Sequence, residues 1–250
     1  MPYCPECGKE IDEGVAFCPS CGVRLGAGGV REGYGGVGAA GHLSHAFNLA
    51  MEKPMVFAPS LLGGVISVII GGISVALFGA SGWAMWRGNP FLGPAVPGLA
   101  ATGALLAIAG GVASYLLGFA SIDMSRDAYV GEPLDLMRSV NYVVERIGTF
   151  IVASIVGAVM AITVILIPAV IFMFVIIVVD ETGIGAAISR AFSVIGSDLG
   201  DVVVVIIVAI IGSAVLGWVP LVGGLLTTAL NVVIGLAFMD IYFRHKRRSL

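Results

Sequence analysis

From Val202 to Met239 the chain runs about 38 residues without an Asp, Glu, Lys or Arg, and Gly217-Trp218-Val219-Pro220 divides the run. A soluble pair of helices hardly tolerates such a stretch, because one face of each must meet water. Two membrane-crossing helices fit it, since a hydrocarbon core of about 30 Å asks for roughly 20 apolar residues per helix. Arg244, Lys246, Arg247 and Arg248 follow at once, and basic residues just past a span mark its cytoplasmic end.

The whole chain is 58% hydrophobic and 12% charged, with a mean hydropathy of +1.03, far outside the range of soluble domains. No basic segment followed by an apolar core and a small-residue cleavage site opens it, so the first span is expected to direct insertion itself. Apolar runs place spans at about Val56 to Ala80, Leu99 to Ile122, Thr149 to Val179, Val202 to Trp218 and Leu221 to Tyr242. The third is anomalous. At roughly 1.5 Å per residue, its 31 or so residues are too long for one crossing and short for two. Pro168 lies a little past its middle.

Charge favours a hairpin there. If the run turns back near Pro168, leaving arms of about 19 and 11 residues, the chain has six crossings, and 12 of its 13 Lys and Arg, all but Arg87, lie on one side. A single crossing would split them seven to six, against the positive-inside rule. A re-entrant hairpin satisfies the same count. An internal repeat agrees: Ser44 to Lys53, Met137 to Arg146 and Ser189 to Asp198 each put a basic or imidazole residue second, a small one third, an apolar one fourth and a polar pair last, just before an apolar run. Three such units imply three short amphipathic helices on the cytoplasmic surface, each leading into a helical hairpin. The expected fold is an all-α polytopic membrane bundle of about six transmembrane helices in three hairpin repeats, over residues 42–243. A basic tail, 244–250, follows, and both termini are expected in the cytoplasm.

The four cysteines all lie in the first 21 residues, as Cys4-Pro5-Glu6-Cys7-Gly8 and Cys18-Pro19-Ser20-Cys21-Gly22. Two C-x2-C-G turns present four thiolates to a tetrahedral Zn2+, and the glycines permit the positive φ that aims backbone amides at sulfur. Two disulfides or an iron site are the alternatives, and a reducing compartment favours metal. The pattern resembles the short zinc-ribbon modules that begin many archaeal and bacterial membrane proteins. A segment of about 25 residues cannot fold on apolar burial alone, so the metal supplies the folding free energy, on the order of 10 kcal/mol. With Cys at every ligand position no site is left for a catalytic water. Glu6, Glu10, Asp12 and Glu13 outnumber Lys9 and Arg24, which repels phosphate and argues for a protein partner over nucleic acid. Residues 26–41 are half glycine and read as a flexible tether.

Within the membrane body, small residues recur every fourth position: Gly63, Ser67 and Gly71; Gly103, Ala107 and Gly111; Ala153, Gly157 and Ala161; Ala209, Ser213 and Gly217. They read as helix packing surfaces, within one chain or between copies in a homo-oligomer. Asn231 shares a face with Gly223, Thr227 and Gly235 and is expected to hydrogen-bond across helices. Asp240 is accounted for by an i,i+4 pair with Arg244. His42, His45 and His245 read as solvated surface residues without a companion motif. No ionisable residue falls at the centre of a span, which weighs against a proton-coupled carrier. The segment Ser81 to Pro97, with Trp83 and Trp86, reads as an interfacial anchor.

The repeat pattern, together with Val179-Asp180-Glu181 and Ala187-Ile188-Ser189-Arg190-Ala191-Phe192, resembles a loose group of six-span prokaryotic membrane proteins. That group includes the membrane domain attached to some glycerophosphodiester phosphodiesterases. The resemblance implies the membrane part of such proteins, because the phosphodiesterase catalytic domain is absent here. The leading expectation is a non-enzymatic protein of the cell membrane whose ribbon, residues 1–25, binds a cytoplasmic protein. The alternatives are a transporter or lipid-handling protein with the ribbon as a regulatory appendage, and a subunit of a membrane enzyme whose catalytic chain is separate.

Overall fold

A computed structural model of the chain describes residues 38–87, 96–219 and 222–248. The chain divides into two units, Met1–Gly41 and His42–Leu250. Nearly all of the first, including the four ribbon cysteines and most of the glycine-rich stretch, lies outside the described residues, as do residues 88–95 of the Ser81 to Pro97 segment. The second unit is built of helices, with no strand among the described residues.

Eight α-helices are described: α1 (Ala39–Glu52), α2 (Ala58–Arg87), α3 (Val96–Val130), α4 (Leu136–Glu145), α5 (Ile147–Ala161), α6 (Ile167–Asp180), α7 (Ile184–Gly217) and α8 (Gly223–Arg248). They fall into three like units of short helix, break, first arm and second arm. In the first unit the break is Lys53 and the 3-10 turn Pro54–Phe57, where the proline cannot extend α1. In the second it is Arg146, at φ -108 and ψ 17, where α4 and α5 bend by 76°. In the third it is Asp198, whose φ of -125 and ψ of 34 kink α7 between its amphipathic start and its apolar remainder. The repeat read from three ten-residue segments is therefore present as structure, and each segment ends at its unit's break.

Four stretches are long and apolar enough to cross a membrane: Pro54–Trp83, Val96–Val130, Ile184–Gly217 and Gly223–Arg247, and the bent pair α4 and α5 is a fifth candidate. Large apolar side chains such as Val68, Ile108, Ile155 and Ile210 point outward, each more than half exposed. That pattern suits a lipid surround, which leaves no hydrophobic penalty on outward Ile and Val.

The anomalous third run folds back on itself, with its turn at 162–166, ahead of Pro168 rather than at it. Pro168 occupies the first turn of α6, where an amide hydrogen has no helical acceptor and its loss is harmless. A Cβ on Gly157 would lie 3.0 Å from Val170 and 3.4 Å from Phe174. Phe119 of α3 meets Phe150 and Phe174 with ring centroids 4.5 and 5.1 Å away. Residues early in α5 thus sit beside residues late in α6, which makes the two arms antiparallel. Their lengths are 15 and 14 residues, in place of about 19 and 11. At 1.5 Å per residue each reaches roughly 22 Å, less than a hydrocarbon core. Four crossings are carried by length and composition, and the count of six rests on how deep this short hairpin reaches.

The second arms α3, α6 and α8 touch one another pairwise; α2 packs against α3 and α8, α7 against α6 and α8, and α5 against α6. Phe119, Phe172, Met173, Leu236 and Phe238 are buried among them. Glycines permit the close approaches: a Cβ on Gly110 would lie 2.8 Å from Ile70, and one on Gly212 would lie 2.6 Å from Leu230. Gly71 and Gly111, members of the same four-residue stripes, have nothing within 4 Å. The stripes are thus packing surfaces over part of their length only.

Candidate functional site

Each second arm carries an aspartate in its C-terminal half: Asp127 on α3, Asp180 on α6 and Asp240 on α8. Their side chains are 0%, 5% and 0% exposed. A carboxylate so buried is tolerable only with cations and hydrogen-bond donors around it, and the donors come in a regular order. Asp127 takes Arg138 and Asp180 takes Arg190, while Asp240 accepts from His45 Nδ1 at 3.0 Å. Arg138, Arg190 and His45 are the second residues of the three ten-residue segments. Each aspartate is therefore bound by the short helix of the next unit, and the third unit is bound by the first. The ring closes.

Tyrosines repeat the order. Tyr129 donates its hydroxyl to Asp240, and Tyr242 donates to Asp180. Both lie two residues after an aspartate, in Asp127-Ala128-Tyr129 and Asp240-Ile241-Tyr242. The matching position in the second unit is Thr182. The third residue of each segment, Ala46, Ser139 or Ala191, is small because it is buried at 1%, 0% and 0% exposure against the bundle. The fourth residues Phe47 and Phe192 point outward, about half exposed, as an amphipathic helix resting on a membrane surface requires.

The closing seam is the most heavily bonded. Besides His45 and Tyr129, Asp240 accepts from His42 Nδ1 at 2.5 Å and from Arg244 Nε at 2.9 Å. His42 Nε2 lies 3.6 Å from Asp201. Tyr129 stacks on Phe243 with centroids 4.6 Å apart and meets His45 edge to face. The expectation of solvated histidines is corrected for His42, which is 2% exposed because Asp240 draws its ring inward. The i,i+4 pair of Asp240 with Arg244 is present, but it is one of four bonds to that carboxylate.

Further ion pairs share the same end of the bundle. Arg126 binds Asp123 and Asp127, each at 2.9 Å, and donates to the Val178 carbonyl. Lys246 reaches Asp180 at 2.7 Å, and Lys53 donates to the Ala128 carbonyl at 2.8 Å. Among the described residues, Lys53, Arg126, Arg138, Arg146, Arg190, Arg244 and Lys246, all of which the charge count placed on one side, each make such a contact. Tyr142 lies beneath the guanidinium groups of Arg126 and Arg146, at 5.4 and 4.9 Å from its ring centre, worth about 0.5 to 2 kcal/mol each.

Ser197, His245 and Asp198 carry the residue types of a hydrolytic triad, but not its geometry. Ser197 Oγ is 2.9 Å and Asp198 Oδ2 is 3.8 Å from the same ring nitrogen, His245 Nδ1. A triad needs its acid and its nucleophile on opposite nitrogens, so that one orients the ring while the other gives up a proton. Here the three cap the kink in α7, where Ser197 also donates to the Val194 carbonyl. Among the described residues no three His, Cys, Asp or Glu side chains are placed to hold a metal ion.

A cavity of about 500 Å³ opens between α2, α3, α6 and α8. Ser60, Ser67, Ser114, Ser121, Thr228 and Asn231 stand on its wall, among glycines and apolar residues. Asn231, expected to tie helices together, faces this space. Its place on a polar face was legible from local spacing, whereas the space it faces was not, because that space needs four helices that are distant in sequence.

Comparison with known protein families matches residues 3–24 to the zinc-ribbon domain. Neither the curated proteins nor the solved structures yield a match.

Proposed function

We propose that the protein is a non-enzymatic integral membrane protein that displays an N-terminal zinc ribbon in the cytoplasm as a docking module for another protein. The observation that carries this reading is the match of residues 3–24 to the zinc-ribbon domain on a chain whose remainder holds helices long and apolar enough to cross a membrane. Cys4, Cys7, Cys18 and Cys21 would hold the Zn2+ as four thiolates. Such a set gives the short segment its fold and offers no open position for a reacting water. The excess of acidic over basic residues among Glu6, Lys9, Glu10, Asp12, Glu13 and Arg24 selects a protein surface, with basic patches, over nucleic acid. Residues 26–41 act as the tether, and the bundle as its anchor in the cell membrane. The relationship to the membrane domain of glycerophosphodiester phosphodiesterases belongs to the same proposal and concerns the bundle alone.

The test compares the full chain with a form lacking residues 1–40 and with Cys7→Ser, each crosslinked in native membranes and then purified. A stoichiometric companion polypeptide on the full chain, lost from both altered forms, is the expected result. Identical complexes on all three forms would overturn the reading.

A further inference from the structure

We infer that the cavity between α2, α3, α6 and α8 is a binding site for a neutral amphiphile: a lipid with one apolar chain and an uncharged, hydroxyl-bearing head that hydrogen-bonds to Asn231. The site is independent of anything the ribbon binds. Its volume of about 500 Å³ lies in the range of small-molecule pockets, roughly 300 to 1,000 Å³. Three of the four helices that form it, α2, α3 and α8, are long and apolar enough to cross a membrane, so the reservoir that fills it is the bilayer.

The wall decides the charge of the occupant. No Asp, Glu, Lys, Arg or His lines the cavity, and an ionised head would lie in a low-dielectric space without a counterion. The polar groups decide its chemistry. Ser60 donates to Ser121 at 2.7 Å, Ser67 pairs with Ser114 at 2.8 Å and Thr228 donates to the Gly224 carbonyl at 2.8 Å. These hydroxyls are already engaged. Among the described residues the Asn231 carboxamide has no hydrogen-bond partner within the protein, and it stands exposed on the cavity wall. A carboxamide offers two donors and an acceptor, and in a hydrocarbon setting it is costly to leave unmatched. A hydroxyl, which both donates and accepts, complements it.

The glycines keep the space open. Gly118 and Gly235 line the cavity, and a Cβ on either would meet nothing within 4 Å. Neither glycine is needed for helix packing, although each weakens its helix relative to alanine. A larger side chain at Gly118 would project into the site.

The test places the full chain in liposomes with a long-chain primary alcohol bearing a photoreactive diazirine, beside a matched fatty acid and a matched alkane. Saturable labelling by the alcohol, mapped to the cavity residues of α3 and α8 and competed by excess unlabelled alcohol, is the expected result. Asn231→Leu and Gly118→Leu should each cut that labelling by about five-fold or more, in line with one lost hydrogen bond in a membrane, and Asn231→Gln should restore it. Melting is recorded for each variant, and Gly235→Ala, which adds one methyl to open space, replaces any variant that unfolds. Equal labelling by all three probes, labelling confined to outward residues such as Ile155 and Val159, or labelling indifferent to these substitutions would overturn the assignment. So would an absence of saturable labelling, which would make the cavity a water-filled space.

Discussion

Arg146, where the chain bends into α5, donates Nη2 to Glu181 Oε2 at 2.6 Å, and Glu181 is where the chain leaves α6. Entry and exit of the short hairpin therefore meet, and everything between them returns to the end from which it set out. Glu181 takes a left-handed conformation, with φ 50 and ψ 33, as it ends α6. The chain is thereby turned toward Gly183 and the next unit.

That return fixes the topology test. In a variant lacking the four ribbon cysteines, Ser249→Cys should stay protected from an impermeant thiol reagent in intact cells and react after lysis. Arg87→Cys, at the far end of α2, should react without lysis. Labelling at both positions in intact cells would mean an even number of crossings between them and would set aside the hairpin's return.

The two classes of ion pair should differ in energy. Arg146 and Glu181 are 37% and 49% exposed, so a double-mutant cycle on them should give a coupling of about 0 to 1 kcal/mol. Asp127→Ala strips a fully buried acceptor from Arg126 and Arg138. It should cost more, about 1.5 to 3 kcal/mol, because hydrogen bonds to a buried carboxylate are lost while Arg126 keeps Asp123 and Arg138 keeps Glu132. Unfolding in mixed micelles measures both, and similar costs for the two would refute the ranking.

Glycines that look alike in sequence should behave differently. Gly212→Val drives a side chain into Leu230, which already lies 2.6 Å from an ideal Cβ, and should destabilise by about 1 to 3 kcal/mol. Gly111→Ala meets nothing and should be neutral or stabilise by up to about 1 kcal/mol. The same unfolding assay separates them, and a loss at position 111 as large as at 212 would contradict the packing.

Metal removal should affect the ribbon and leave the helical body as it is. A single zinc ion per chain is expected by elemental analysis, released by chelator and absent from Cys7→Ser. Deletion of residues 1–40 should leave the thermal transition of the helical body in place. Purified protein with two intact disulfides and no metal, or a body that fails to melt cooperatively after truncation, would count against this arrangement.

Helices, breaks and repeat were legible because each is a local property. Apolar run length, Pro54, Pro168 and the spacing of His45, Arg138 and Arg190 all sit within a few residues of the structure they specify. The turn at 162–166 was misplaced because Pro168 was read as a breaker, whereas the first turn of a helix is where proline is tolerated. The buried state of His42 was not legible. It depends on Asp240, 198 residues away, and histidine near a polar margin ordinarily suits solvent. In the sequence Asp240 had Arg244 as its partner, Asp180 belonged to a short motif, and Asp127 did not stand out. The signal that could have found them is their shared place in the three units, with a tyrosine two residues on in two of them.

A ring of pairings in which the last unit grips the first has no privileged starting point. His42 and Asp240 are joined at 2.5 Å, which sets the beginning of the helical body beside its final turns. Circular permutation exploits just this proximity. A short linker from Arg248 back to His42, with new termini opened at Gly131 between the first and second units, would preserve every aspartate pairing while moving the chain ends to a different seam. The order of the three units along the gene is, in this architecture, separable from their order in space.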